Sequence, residues 1–294
     1  MDQSKFKLDT DIIDFHGFKF EYHKNDNMAK NSIKDGKMWE PHITNFVKLY
    51  NNFYNIQNII DIGANFGYHT LFFSKEVKGV VFAFEPQIQN FQLLEHNITC
   101  NFIQNVEIYN VACGDIECDV KMDIIVQTTN CLQMTKGLQT KFLQTNNDLN
   151  MGDFTPDVNH SQFFSITKSV LLDYFDFPQI DLIKIDTQGW EKKVLLGCKE
   201  LLQKYKPILI VEFEHFQLIK TNTSCEELFD FIRNNNYYIF FLEYSYPSDH
   251  ICVHNDNLND FRNKFEKYIY THDLDNDINH NLKHFVNEKI VLNF

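Results

Sequence analysis

The chain has no run of eighteen or more consecutive apolar residues, so no membrane-spanning helix is expected from its 294 residues. Its first residues, MDQSKFKLDTDIIDF, lack the apolar stretch and small-residue cleavage site of a secretory signal, which makes the expected location cytoplasmic. The seven cysteines, at 100, 113, 118, 131, 198, 225 and 252, never form a C-x-x-C pair. A disulfide framework and a structural zinc site are both disfavoured, and reduced, mostly buried thiols are expected. Cations are short as well: 27 Lys and Arg face 40 Asp and Glu, a formal net charge of -13. Affinity for nucleic acid comes largely from cations that neutralise phosphates, so long RNA or DNA is an unfavoured partner. Glycine and proline are few, with 10 and 6 residues, while Asn, Ile, Lys and Phe are abundant; this bias speaks of an AT-rich coding sequence rather than of chemistry.

Apolar runs of strand length alternate with amphipathic stretches of helix length, the pattern of a parallel α/β sheet. Strands are expected at 58–63, 80–85, 106–111, 181–186, 208–214, 237–243 and 250–255, seven in all. Helices are expected near 67–76, 87–101, 190–204 and 224–235, the last with Ser224 as its N-cap and Glu226 and Glu227 in its first turn. Only YSYPSD joins the last two strands, too short for a helical crossover, so they form an antiparallel hairpin. Residues 1–40, with the alternating FHGFKFEYH, read as an N-terminal cap, 41–255 as the main domain, and 256–294 as a C-terminal helical extension. The polar, weakly periodic stretch 127–165 reads as an inserted loop of the length that usually carries function.

The strongest local signal is IIDIGANFGYHT at 59–70, a buried strand ending in an acid and followed by a glycine loop and a helix. Gly63 and Gly67 permit the tight turn and let backbone N–H groups approach a ligand closely. A dinucleotide loop uses related physics, but Asn65 stands at its second glycine position and no third glycine follows, so NAD is a minor reading. Glu85 ends the next strand, where an acid accepts both hydroxyls of a ribose. NVACGD at 110–115 follows the third strand, at the sheet edge where an adenine would lie. The candidate cofactor residues are Asp61, Gly63, Asn65, Gly67, Thr70, Glu85, Asn110, Ala112 and Asp115, and together they specify a nucleoside-bearing cofactor.

With these residues in place, the chain resembles the FkbM family of methyltransferases. The likeness runs in order through WE (39–40), DIGANFGYHT, FEP (84–86), NVACGD, LLDYF (171–175), DLIKIDTQGWEKKVLLG (181–197) and PILIVEFE (207–214). The resemblance implies a Rossmann-like class I methyltransferase fold with a seven-stranded, mostly parallel sheet, S-adenosyl-L-methionine as cofactor, and O-methylation of a hydroxyl on a sugar, glycan or small metabolite. One position departs from the family, which usually carries an acid before the glycine of IDVEG. Here Gln188 stands in its place, removing a charge that would orient substrate or metal.

Methyl transfer to a hydroxyl requires the oxygen to be aligned and its proton removed. Asp186 ends the fourth strand and is the candidate general base, or with Glu191 a ligand of Mg²⁺ or Mn²⁺, the metal question being open. Lys184, two residues earlier on the same strand face, would lower the pKa of the acceptor hydroxyl or hold Asp186 ionised. Glu191 equally suits the first turn of its helix as a cap. Glu212, Glu214 and His215 end the fifth strand, and His215 is a further catalytic candidate. Trp39 and Trp190 could stack on a sugar, although core packing is the commoner use of Trp. HDLDNDINHN at 272–281 imitates the start of a calcium loop but has Ile278 where Gly is needed, so it reads as a solvated turn. Two other functions stand beside the main reading: ribose 2'-O-methylation of RNA, hinted at by Lys184 beside Asp186, and a cofactor-binding fold without turnover, suggested by Gln188.

Overall fold

The computed structural model describes residues 9–24, 26, 32–123, 143–144, 164–242, 248–271, 286 and 288–292. Most of the 127–165 stretch and the calcium-like segment lie outside the described residues. In chain order the strands are β1 (Thr10–Phe15), β2 (Phe18–His23), β3 (Ile59–Ile62), β4 (Val81–Phe84), β5 (Val106–Tyr109), β6 (Ala112–Cys113), β7 (Cys118–Asp123), β8 (Leu143–Gln144), β9 (Phe164–Val170), β10 (Leu182–Ile185), β11 (Ile208–Phe213), β12 (Tyr237–Leu242), β13 (Ser248–His254), β14 (Ile269–Thr271) and β15 (Glu288–Ile290). The α-helices are α1 (Pro41–Tyr54), α2 (Tyr68–Glu76), α3 (Ile88–Cys100), α4 (Glu191–Leu196), α5 (Lys199–Tyr205), α6 (His215–Lys220), α7 (Cys225–Asn234) and α8 (Leu258–Phe265).

All seven strands expected from the apolar runs lie in one sheet, but the sheet is larger and more mixed than expected. Its order is β14-β15-β12-β13-β11-β10-β3-β4-β5, nine strands among the described residues. The block from β11 to β5 is parallel, and β13 runs antiparallel to both β11 and β12, the expected hairpin. The two extra strands come from the C-terminal segment expected to be helical, which contributes α8 and also β14 and β15 to the sheet edge. NVACGD does not simply end a strand: Ala112–Cys113 enter a second, four-stranded sheet of order β6-β9-β7-β8. FHGFKFEYH is not one strand but the second half of a hairpin, turned at His16 and Gly17, both with positive φ.

The chain order across the parallel block is β5, β4, β3, then β10, β11, so the winding reverses between β3 and β10. In open α/β sheets the carboxyl ends of the strands at such a reversal splay apart and leave a crevice for ligand. Side chains alternate between the two sheet faces. Ile60, Ile62, Ile183, Ile185, Leu209 and Val211 face a core completed by Val194, Leu195, Leu202 and Leu228 from α4, α5 and α7. Ile59, Leu182, Ile208, Ile210 and Ile251 face the other core, closed by Phe46 and Val47 of α1, Phe73 of α2, and Phe261 and Phe265 of α8. The hairpin of the N-terminal segment packs Phe15, Phe18, Phe20 and Tyr22 against Phe66, Leu71, Leu93 and Leu94, and so covers α2 and α3. Asn97 ties it down, accepting from the Glu21 N–H at 2.6 Å and donating to the Glu21 and Phe66 carbonyls.

Helix ends follow local chemistry. Pro41 opens α1 at its first position, where a missing N–H costs nothing. Ser224 caps α7 in a full capping box with Glu227. The helix expected at 190–204 is broken at Gly197 and Cys198 into α4 and α5, and a Cβ on Gly197 would sit 1.9 Å from the Gly114 carbonyl oxygen, so only glycine fits there. Among the described residues, no helix is long and apolar enough to cross a membrane, and six free cysteines are present.

Candidate active site

At the winding reversal, the glycine loop after β3 lies directly on β10. Gly63 has φ +81°, and a Cβ there would stand 1.8 Å from the backbone oxygen of Asp186, so only glycine lets the two strand ends meet. The Gly63 and Ala64 N–H groups donate to the Phe84 carbonyl, which ties the loop to β4 as well. Gly67 has φ +91° and caps α2. Thr70, in the first turn, donates to Asp61 Oδ2 at 2.6 Å, and both residues are fully buried.

Glu85 is buried just past β4, where its two carboxylate oxygens accept the Asn65 N–H at 2.8 Å and the Gln87 N–H at 2.9 Å. Burial pushes its pKa up to about 7 against these hydrogen bonds. The Asn110 amide donates to the Glu85 and Pro86 carbonyls and so clamps the strand end that presents the carboxylate. Ala112 is buried in β6, while Asp115 follows the Gly114 turn that packs on Gly197, at the far end of α4.

The second half of the crevice is a row of charges on one sheet face. Lys184 is aligned with Asp61 across the β10–β3 pair, and Glu212 with Asp249 across β11–β13. By strand alternation these four lie on the face that carries α1 and α2, beyond its apolar rows. Lys184, only 2% exposed, places Nζ 3.4 Å from Asp186 Oδ2 and 3.8 Å from Asp61 Oδ1. Burial alone would lower its pKa, but Asp186, Asp61, Glu40 and Asp249 together hold it above the ordinary lysine value. Burial tends to raise Asp186, yet Lys184 and the neighbouring hydrogen bonds bring its carboxyl below the usual range. Glu212 is pushed well up, by burial first and then by the carboxylates around it.

Gln188 joins these acids. Its Nε2 donates to Asp186 Oδ1 at 3.1 Å and to Glu212 Oε2 at 3.3 Å, and its Oε1 accepts from Gln217. A neutral donor at this point ties two carboxylates together where a third acid would repel both. Glu191 is 1% exposed, and its Oε1 accepts from the Thr187 N–H, the Thr187 hydroxyl and the Gly189 N–H at 3.0–3.1 Å. These bonds tie the loop before α4 to its first residue, the helix having no side-chain cap bond at Trp190, and burial raises the Glu191 pKa to about 7. His215 does not continue β11: it opens α6, with Nδ1 4.0 Å from Cys225 Sγ. Trp190 is buried in the core under the Lys193 ammonium.

Sequence reading missed four neighbours. His42 Nε2 lies 2.5 Å from Asp249 Oδ2, and His69 Nε2 lies 2.9 Å from Glu40 Oε2; His42, Asp249 and His69 are buried and Glu40 is partly buried. Two signals were available: the alternation of SDHICVH places Asp249 on the face of Ile251, and His69 is two residues past Gly67 in the first turn of α2. Among the described residues no cluster of three or more His, Cys, Asp or Glu is arranged to hold a metal ion.

The FkbM methyltransferase domain matches residues 61–239, which contain the glycine loop, Glu85 and the whole β10–β11 region. The chain belongs to the FkbM family of S-adenosylmethionine-dependent methyltransferases. Among solved structures it is similar to the FkbM methyltransferase of Methylobacillus flagellatus KT, at 15% identity and a TM-score of 0.44 over 68% of this chain and 44% of that one. It is also similar to a putative caffeoyl-CoA O-methyltransferase from Staphylococcus aureus, at 13% identity and a TM-score of 0.46 over 77% and 88% of the two chains. A putative methyltransferase from Streptococcus mutans in complex with SAH matches at 12% identity and a TM-score of 0.41, over 74% and 99%. No curated protein matches the chain.

Proposed function

We propose that this enzyme transfers the methyl group of S-adenosyl-L-methionine to a hydroxyl oxygen of a sugar, glycan or small metabolite. The observation that carries the reading is Glu85: a buried carboxylate fixed by two backbone amides beside a glycine loop, one strand from the winding reversal of the sheet. Each of its oxygens keeps a lone pair free of those amides, which suits two adjacent ribose hydroxyls. Asp61 Oδ1, fully buried with no hydrogen-bond partner, offers a second acceptor for a cationic or N–H group of the cofactor.

The bound cofactor supplies an electrophilic methyl on a positive sulfonium. The chain supplies alignment and charge. Asp186, 24% exposed at the crevice and kept ionised by Lys184, accepts a hydrogen bond from the acceptor hydroxyl and fixes its direction. Lys184 balances the buried carboxylates and stays charged throughout. Gln188 holds Asp186 and Glu212 in place, so the missing family acid is compatible with turnover. A row of carboxylates is a poor seat for the phosphates of RNA, which favours a neutral hydroxyl acceptor over ribose methylation.

Calorimetric titration of the folded protein with S-adenosylmethionine and S-adenosylhomocysteine tests the reading. Saturable binding of both is expected, with loss of affinity in Glu85→Ala. Absence of binding to folded protein overturns it.

A further inference from the structure

The crevice contains a group better suited to removing a proton than Asp186, whose ion pair with Lys184 makes it a weak base. Efficient general bases have a proton affinity near the working pH, which histidine provides. His69 stands in the first turn of α2, one residue before Thr70, and its ring is 6% exposed. Its Nε2 is 2.9 Å from Glu40 Oε2. A carboxylate can only accept, so the hydrogen of this bond resides on Nε2. Nδ1 is then the nitrogen with the free lone pair, and it is buried without a hydrogen-bond partner. The ring is braced by Phe73, stacked at 5.7 Å, and by the edge of Tyr68 at 5.2 Å. Thr70, the next residue, donates to Asp61 Oδ2 at 2.6 Å, and His42, two residues after Glu40, has Nε2 2.5 Å from Asp249 Oδ2, so the His69–Glu40 pair sits beside the charged row.

We propose that His69, oriented by Glu40, is the general base that takes the proton of the acceptor hydroxyl, with Asp186 directing that hydroxyl. This inference rests on the methyl-transfer reading above. In the step, the hydroxyl O–H bond breaks as its proton passes to Nδ1, and the oxygen lone pair forms the new O–CH₃ bond. The C–S bond breaks with its electron pair going to sulfur, leaving a neutral thioether. The products are the methyl ether, S-adenosylhomocysteine and an imidazolium paired with Glu40, which returns its proton to solvent. Orientation of an imidazole through one nitrogen so that the other is available for proton transfer is an established use of a carboxylate partner.

Ring-nitrogen NMR of the ¹⁵N-histidine protein, free and with S-adenosylhomocysteine, tests the pair without any acceptor. The His69 signals are assigned by their loss in H69Q, or in H69N if H69Q does not fold. The expected result is a proton on Nε2 and none on Nδ1 between pH 7 and 8.5, with mixed tautomers in E40Q. A proton on Nδ1, or an imidazolium across that range, overturns the proposal. In a second arm, labelled methyl transfer is followed in a panel of methyl glycosides. H69Q, which can still donate to Glu40, should be slower by about 10²-fold or more, with S-adenosylhomocysteine affinity within about threefold of wild type. A rate near wild type overturns the proposal. Wild-type protein that binds cofactor but methylates none of the panel counts against the sugar-hydroxyl reading, while the NMR arm still decides the state of His69.

Discussion

On the β3–β4 side of the crevice, binding capacity comes from backbone: the tight loop of Gly63 to Gly67 and the Asn65 and Gln87 amides that fix Glu85. On the β10–β11 side it comes from side chains, with Lys184, Asp186 and Gln188 meeting Glu212, Asp249, Glu40 and His69 from distant parts of the chain. A backbone cradle must be contiguous, because successive N–H groups are what it offers. A side-chain pocket can be gathered from anywhere the fold brings together. The first kind suits a cofactor that does not vary, and the second suits an acceptor whose shape differs from one enzyme to another.

The largest expected effect falls on the side-chain half. Lys184→Met keeps much of the volume but leaves Asp61 and Asp186 without their cation. Breaking a buried pair in this way costs about 3–5 kcal/mol, read as loss of stability in urea at pH 7.5. The sign with pH follows from Asp186, whose folded pKa lies below 3.8. Its contribution to stability is present above 3.8 and lost as pH falls through the folded value, so the variant and wild type should converge in acid. A loss under about 1 kcal/mol, the range of exposed pairs, would show that solvent rather than Lys184 balances the row.

The backbone half gives a test with two opposite signs. Glu85 has a folded pKa of about 7 against 4.5 when free, so the protein without cofactor is stabilised below pH 4.5 and loses that contribution as pH rises through 7. Glu85→Gln removes this pH dependence, so wild type should lose stability relative to the variant between about pH 5 and 8, although the Gln amide sets its own N–H against one of the two backbone donors that Glu85 accepts. The same change should weaken cofactor binding by about 1.5–3 kcal/mol, because hydrogen bonds to a charged acceptor are lost. In wild type, ribose binding favours the ionised carboxylate, so affinity should fall as pH drops below 7 and protons should be released on binding. Calorimetry in buffers of different ionisation enthalpy measures that release. A variant both less stable and equally tight would show that Glu85 holds the fold and not the ribose.

The same contrast explains what the sequence discloses. NIIDIG, VVFAFE and DLIKID are legible as strands because each is a continuous apolar run buried on both faces, and the glycine loop follows its strand directly. Lys184 and Asp186 are legible together because they are two residues apart on one strand. Glu40, His42, His69 and Asp249 are not legible as a group, since nothing local states that α1, α2 and β13 meet over β10. The need for glycine at 197 is equally hidden: it depends on the Gly114 carbonyl, from another segment. His215 was misplaced because β11 ends one residue before Glu214, and helix α6 starts where an extended run was expected. β14 and β15 are too short, at three residues each, to show a strand pattern of their own.

The smallest effect concerns the one position where the motif departs from its family. Gln188 has φ +55° and its amide donates to both Asp186 and Glu212, so its role here is to supply hydrogen to two neighbouring acceptors. Gln188→Glu restores the family's acid without changing shape, but replaces a donor by a third carboxylate. At neutral pH the loss should be about 1–3 kcal/mol, the cost of leaving buried acceptors unsatisfied. Part of it should be recovered near pH 5, because a proton taken up by Glu212, already pushed above its ordinary pKa by burial and by its acidic neighbours, recreates the missing donor. Cofactor affinity should change little, since Asn65, Glu85 and Gln87 form their contacts on the other side of the crevice. Urea denaturation at pH 5 and 7.5, beside calorimetric titration with S-adenosylhomocysteine, separates the two halves. A stability loss that is the same at both pH values would mean that packing of the Gln188 side chain, and not its N–H groups, fits it to this site. A large loss of cofactor affinity would mean that the two sides of the crevice are one coupled unit.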